Sequence, residues 1–329
     1  MLKNGVNFYA TNGCNSYTGY GRMELGIASG LQSLTPLWIA PKRDCPTLVI
    51  GNAEWLKAPH IRHTKRVLIT MSESSKVSRK WVDLINDHAT AVFVPCKSLV
   101  DVYKSSGVCP PVISIGCGVY DASSHISVAW DGITQFQWLG YTYGDLRKGA
   151  DLTIEAFKRL FNDDPKHHLT IKARDGENVG WLTGLRDPQI TIVFGQQSDD
   201  DWHRLLARSH AFIFPSRGEG FGMPPREATM AGLPTIATNW LGLDDVDQWG
   251  IPIDVRTFFT SQFEQEEANA IDSMWAQPDI NHLMQQMQWV YNNYDQACAI
   301  AEAGSKHIKT HNNWFVIAGN IMLGLEQVL

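Results

Sequence analysis

Residues 211–240, AFIFPSRGEGFGMPPREATMAGLPTIATNW, hold the strongest constraint on how this chain can fold. An apolar run at 211–215 reads as a buried strand, and a loop carrying Gly218, Gly220 and Gly222 follows it. Pro224 and Pro225 pre-set the first turn of a helix, where a missing N–H costs little. That helix ends near Gly232, and residues 234–238 begin another strand. Strand, glycine loop, helix N-terminus and strand is how an open α/β sheet builds a site for an anion. With two prolines lacking N–H groups, the donors at this end come from Phe221, Gly222 and Met223. Glu219 and Glu227 flank the array, eight positions apart. One carboxylate can reach a ligand's reacting end while the other reaches further along it, and a nucleotide-sugar has that shape. The plainer alternative is a strand–loop–helix whose glycines serve turns and whose carboxylates face water.

The chain's 329 residues suggest two domains of roughly 130 to 180 residues each. An apolar content of 44% with 19% charged residues is that of a soluble globular protein. No run of eighteen apolar residues exists, and MLKNGVNFYA lacks a signal peptide's apolar core, so a cytoplasmic chain without a membrane span is expected. Cys14, Cys45, Cys96, Cys109, Cys117 and Cys298 show neither metal nor disulfide spacing, which fits reduced thiols. The net charge of −6 is unevenly spread: residues 1–132 carry +4 and the remainder −10. Lys57, Arg62, Lys65, Arg66, Lys76, Arg79 and Lys80 cluster in the first half. They form either a solvated face or a surface for an anionic acceptor or lipid headgroups, the latter a peripheral membrane contact. An acidic chain without a recognition motif speaks against nucleic acid as a partner.

Residues 5–10, 48–51 and 67–71 read as strands of a first α/β unit. The loop TNGCNSYTGYG leads into a helix, RMELGIASGLQSL, and Gly19 and Gly21 let the backbone approach a cleft ligand. Gly19-Tyr20-Gly21-Arg22 falls short of a dinucleotide fingerprint because the third glycine arrives late, at Gly26. Residues 118–132 are polar and aperiodic and read as an interdomain linker. Strands are expected at 135–141, 169–173 and 190–194, with a helix after the first packed through Leu152, Ile154, Ala156, Phe157 and Leu160. Arg147 and Lys148, at the start of that helix, could clamp a diphosphate or simply face water. Asp199, Asp200 and Asp201 suit the first turn of a helix capped by Ser198 or Asp199, so no metal site is expected there. Beyond Trp240 the chain reads as helical. Residues 273–294 carry a stripe of Trp275, Leu283, Met284, Met287 and Val290, and residues 314–329 form an apolar-faced helix too short to span a bilayer. The expected units are 1–131, 132–312 and a terminal helix at 313–329.

The Glu, seven residues, Glu pattern within PSRGEGFGMPPREATMAGLP resembles the signature of the retaining glycosyltransferases of family 4. Residues 69–120, from ITMSESS to GCGVY, are similar to that family's amino-terminal domain, with Cys96 where a Ser is usual. The resemblance implies the α/β GT-B fold: two Rossmann-like domains facing across a cleft, with the C-terminal helix returning to the first. It implies transfer of a sugar from a nucleoside-diphosphate sugar to a hydroxyl of a glycan, lipid or protein-linked sugar. Configuration is retained, with neither cofactor nor metal. Glu219 would lie beside the donor sugar, Glu227 would bind the ribose hydroxyls, and the loop of Gly19, Tyr20 and Gly21 would face donor phosphate and acceptor. Phe194 and Gln196 would lie along the base. Lys148-Gly149 matches a Lys-Gly pair, but the Arg usually found several residues earlier is absent, with Thr142 and Tyr143 near its place, and Arg147 stands in. Many members carry a His after the strand at 67–70, where this chain has Met71-Ser72-Glu73. Glu73 is therefore the candidate acceptor contact, a helix N-terminal charge being the other account. A nucleotide-sugar epimerase, a non-catalytic sugar-nucleotide-binding module and a nicotinamide-dependent dehydrogenase are the alternatives.

Overall fold

Two runs of short, β-branched and aromatic segments separated by helices build two parallel sheets. The computed structural model describes residues 4–15, 18–40, 42–61, 64–121, 130–132, 135–143, 146–174, 180–195, 198–260 and 272–329. The first half runs β1 (Val6–Ala10), α1 (Gly19–Gln32), β2 (Leu37–Trp38), β3 (Thr47–Ile50), β4 (Arg66–Ile69), α2 (Arg79–His88), β5 (Ala91–Val94), α3 (Lys97–Ser105) and β6 (Val112–Ser114). Its six strands pair in parallel in the order β2-β1-β3-β4-β5-β6. Every residue of β3 and β5 is buried, as a parallel sheet covered on both faces requires.

The second half runs β7 (Phe136–Tyr143), α4 (Ala150–Phe161), β8 (His167–Arg174), α5 (Gly180–Thr183), β9 (Ile190–Phe194), α6 (Asp199–Ala207), β10 (Ala211–Phe214), α7 (Met223–Met230), β11 (Thr235–Thr238) and β12 (Ile251–Ile253). These strands are also all parallel, in the order β12-β11-β10-β7-β8-β9. Strand order reverses between β1 and β3 in the first sheet and between β7 and β10 in the second. Open α/β sheets bind ligands outside the carboxyl ends of their strands at such reversals. The loops after β1, β7 and β10 therefore border the expected ligand site.

The expectation of helix beyond Trp240 fails at two places, the first being β12, which joins the second sheet as its edge strand beside β11. A hairpin of β13 (Val255–Thr260) and β14 (Met274–Pro278) stands where helix was expected, and Trp275 belongs to its second strand, edge-on to Phe259 at 6.2 Å. The helical stripe begins only at α8 (Ile280–Asn292), which Asp279 caps by accepting from the N–H groups of Asn281 and His282. There Leu283, Met287 and Val290 are fully buried, as their spacing requires. Most of the expected linker, residues 122–129, lies outside the described residues. Trp130, just after it, packs on Phe136 and Tyr291.

Two helices close the chain, α9 (Tyr294–His311) and α10 (Trp314–Val328). The second returns to the first half and lies along α1. Ile317, Ile321 and Leu325, four residues apart, are buried in one cluster with Val6, Ile27 and Phe93. Burial of each contributes about 1.5–3 kcal/mol. Trp314 lies so close over Gly26 that a Cβ there would stand 2.0 Å from its ring. Among the described residues no helix is long and apolar enough to cross a membrane.

Candidate active site

The loop from Pro215 to Gly222 leaves β10 at the second reversal point and is buried throughout. Gly222, in the left-handed region (φ 77°, ψ 64°), is the N-cap of α7, and no side chain hydrogen-bonds there. Pro224 and Pro225 follow Met223 in the first turn, as expected. The loop also leans on the other half. A Cβ on Gly218 would stand 2.0 Å from the carbonyl oxygen of Glu73, and one on Gly220 would stand 2.5 Å from Met71 Sδ. The backbones of the two halves can meet this closely only because those positions lack side chains.

Four of the expected site residues converge. Glu219, only 4% exposed, accepts from Lys148 Nζ at 2.6 Å and from Ser216 Oγ at 2.7 Å, with Arg147 Nη1 at 3.4 Å. Arg147 also donates to the Gly218 carbonyl at 2.7 Å and pairs through Nη2 with Glu73 Oε2 at 3.1 Å. Burial alone would raise the Glu219 pKa; Lys148, then Arg147, outweigh it and hold the carboxyl below its ordinary value. Arg147 and Lys148 are buried in a 3-10 turn after β7, not solvated. Glu73 lies in the loop after β4. Helix α2 starts only at Arg79 behind the Ser78 cap, so a charge at a helix N-terminus does not account for Glu73.

Glu227 belongs to a second cluster. It is 1% exposed, with Trp202 Nε1 donating to Oε2 at 2.8 Å and Arg22 Nη2 lying 2.8 Å from Oε1. Arg22 comes from α1, so this ion pair joins the two halves. Gly19, at the start of α1, faces Met223, whose Cε would lie 3.7 Å from a Cβ there. Gly21 packs on Asn15. The Tyr20 hydroxyl bonds Thr70 Oγ1 at 3.1 Å and accepts from the Met71 N–H at 3.2 Å, tying α1 to the loop that carries Glu73. The Phe221 side chain is core, stacked under Arg226 at 3.9 Å, so only its backbone can meet a ligand. Phe194 ends β9 and is 39% exposed. Gln196 lies outside the described residues.

Several residues of this architecture carry no signal in the local sequence. Arg217 grips Asp151 with two bonds of 2.8 and 2.7 Å and also reaches the Leu146 carbonyl, stitching the loops after β7 and β10 together. Arg226, buried between the rings of Phe221 and Trp249, pairs with Asp245. Both arginines lie inside the glycine motif, but their acids come from distant segments. Cys96 is the N-cap of α3 and makes no capping bond, and burial pushes its thiol up to about 11. Ser198 caps α6 and Asp201 pairs with Arg204, so the acidic run is a helix start. Among the described residues no group of three or more His, Cys, Asp or Glu is placed to hold a metal ion.

Two parallel sheets meeting at their reversal points, with the last helix crossing back, define the GT-B architecture. The same fold stands out in the solved structure of TarM, which superposes with a TM-score of 0.64 at 14% identity, over 91% of this chain and 57% of that one. Residues 142–296 match the family model described as Glycosyl transferases group 1, so the second half carries a domain of that group. A 95-residue stretch, 27% of this chain, is 42% identical to the serotype-specific mannosyltransferase WbdA of Escherichia coli and spans 12% of its length. A 104-residue stretch, 28% of this chain, is 32% identical to the lipopolysaccharide core biosynthesis mannosyltransferase LpsB of Rhizobium meliloti (strain 1021), again over 28% of its length.

Proposed function

We propose that the chain is a retaining hexosyltransferase that moves a sugar from a nucleoside-diphosphate sugar to an acceptor hydroxyl. The observation that carries this reading is the buried Glu219 carboxylate on Lys148 and Arg147, at the reversal point of the second sheet and against Glu73 from the first. As the bond between the anomeric carbon and the diphosphate oxygen breaks, negative charge grows on the leaving group. Lys148, Arg147 and the amide end of α7 stabilise that charge with groups already in place, and no metal is required of the scheme. Glu219 holds hydroxyls of the donor sugar and supports the positive charge developing on it. The acceptor oxygen forms its bond to the same face of the anomeric carbon, and its proton passes to an oxygen of the departing phosphate.

Glu227 binds the ribose hydroxyls and Phe194 lies along the base. Glu73 contacts the acceptor, and Tyr20 steadies its loop through Met71. The two halves close over the donor and exclude water that would hydrolyse it. The division at 131 and 312 is proposed on the same reading, as is a cytoplasmic site of action, which suits six free cysteines.

Because the named relatives are mannosyltransferases, nucleoside-diphosphate mannoses head the donor panel, followed by the glucose and N-acetylglucosamine donors. Incubation with simple glycoside acceptors, followed by NMR of the product anomer, should give an axial-to-axial or equatorial-to-equatorial outcome, unchanged by EDTA and lost in Glu219→Ala. An inverted product, or sugar release without any acceptor product across the panel, would sink the proposal.

A further inference from the structure

Arg22 is a cation at the boundary between the halves to which this mechanism gives no role. It lies in the first turn of α1, one turn from Gly19, at the reversal point of the first sheet. Its side chain is 14% exposed and spans the boundary between the halves to reach Glu227. The contact is an ion pair without aligned hydrogen bonds: Arg22 Nε and Nη2 and Glu227 Oε1 find no hydrogen-bond partner among the described residues. Tyr120 holds the guanidinium from below, 4.8 Å from its ring centroid, and donates through its hydroxyl to the Arg22 carbonyl at 3.1 Å. Asp199 lies 3.9 Å away but is half exposed. A buried arginine with donors in reserve, aimed at one carboxylate, is an unfinished arrangement, because buried charged groups ordinarily complete their bonds.

The charges around the cleft show what would complete it. Arg22, Arg147 and Lys148 face Glu227, Glu73 and Glu219, so the three cations and three carboxylates balance. A diphosphate brings further negative charge into that balance. We propose that Arg22 is a third diphosphate-binding group, supplied by the first half and parked on Glu227 until the ribose of the donor takes that carboxylate. This rests on the reading of Glu227 as the ribose anchor. When the ribose hydroxyls donate to Glu227, the guanidinium fork is released beside the N-terminal turns of α1 and α7, where its planar pair of donors fits phosphate oxygens. The donor thus exchanges one tie between the halves for another that runs through the ligand, and closure becomes coupled to the diphosphate.

Calorimetric titration of wild type, Arg22→Met and Arg22→Gln with UDP, GDP and ADP, and with the matching nucleosides, tests this. For whichever diphosphate the wild type binds, both variants should bind at least about tenfold more weakly. Their affinity for the nucleoside should be unchanged or higher, since Glu227 is no longer occupied. Equal loss for diphosphate and nucleoside would make Arg22 a structural clamp, and unchanged diphosphate binding would remove it from the site; either result overturns the proposal. Should Arg22→Met fail to fold, Arg22→Gln, a shorter polar side chain without the charge that reaches Glu227, decides alone. A wild type that binds none of the diphosphates defeats the ribose and diphosphate reading itself, a result distinct from these.

Discussion

Replacing Lys148 with methionine keeps most of its bulk and removes the charge 2.6 Å from Glu219 Oε1. The carboxylate stays buried, left with the Ser216 hydroxyl and with Arg147 at 3.4 Å, which Glu73 and the Gly218 carbonyl already share. Removing one partner of a buried pair costs about 3–5 kcal/mol, and because Arg147 keeps some compensation the lower end, about 3 kcal/mol at neutral pH, is expected. The pH dependence carries more information than the size. In the wild type the Glu219 pKa is depressed, so its contribution to stability is present above the unfolded value, about 4.3, and is lost as pH falls through the folded value. In Lys148→Met burial prevails and the folded pKa rises above the unfolded one. The carboxylate then destabilises at neutral pH, and the deficit shrinks as acid protonates it. Urea midpoints at pH 7 and pH 5 should therefore converge for the two proteins, and adding Glu219→Gln should restore much of the stability at pH 7. Turnover should fall by about 10²–10³ in both variants. A deficit of the same size at both pH values, or no rescue by Glu219→Gln, would refute the argument that Lys148 holds this carboxylate ionised.

Three further expectations follow from the packing. Gly218→Ala sets a Cβ against the Glu73 carbonyl, a backbone atom that cannot turn aside, so the two loops must part. Turnover should drop by about 10²-fold, as misplacement by an ångström can cost, while the melting curve keeps a single transition. Ile321→Ala removes a fully buried side chain from α10 and should cost about 2–5 kcal/mol in a urea titration. Cys96→Ser provides the hydroxyl that the N-cap of α3 lacks and should stabilise by about 0.5–1 kcal/mol, read as a raised melting temperature.

The sequence pattern was readable wherever the physics is local. Four-residue apolar strands such as TLVI and AVFV, the Ser198 cap and the glycine loop before α7 each carry their cause within a few positions. Strand β14 did not: Met274-Trp275-Ala276 has no alternation, and it is a strand because β13, across residues 261–271, supplies its hydrogen bonds. The site divides the same way. Arg147, Lys148, Glu219 and Glu227 could be named from the chain, but their partners could not. Glu73 comes from another sheet, Arg22 lies some 200 positions from Glu227, and Asp151 is 66 positions from Arg217. Ion pairs over such separations exist only once the halves have met, and no spacing rule encodes them.

The return of α10 to α1 also has a consequence for synthesis. The first sheet is finished at Ser114, but the apolar groove that receives Ile317, Ile321 and Leu325 is filled only after Trp314 and its followers emerge. At the usual pace of translation, about 5–20 residues per second, the intervening 200 or so residues take roughly 10–40 s. A nascent chain therefore carries a greasy, unroofed first half on the ribosome for that interval, and chaperones meeting it there would find their grip at Val6, Ile27 and Phe93.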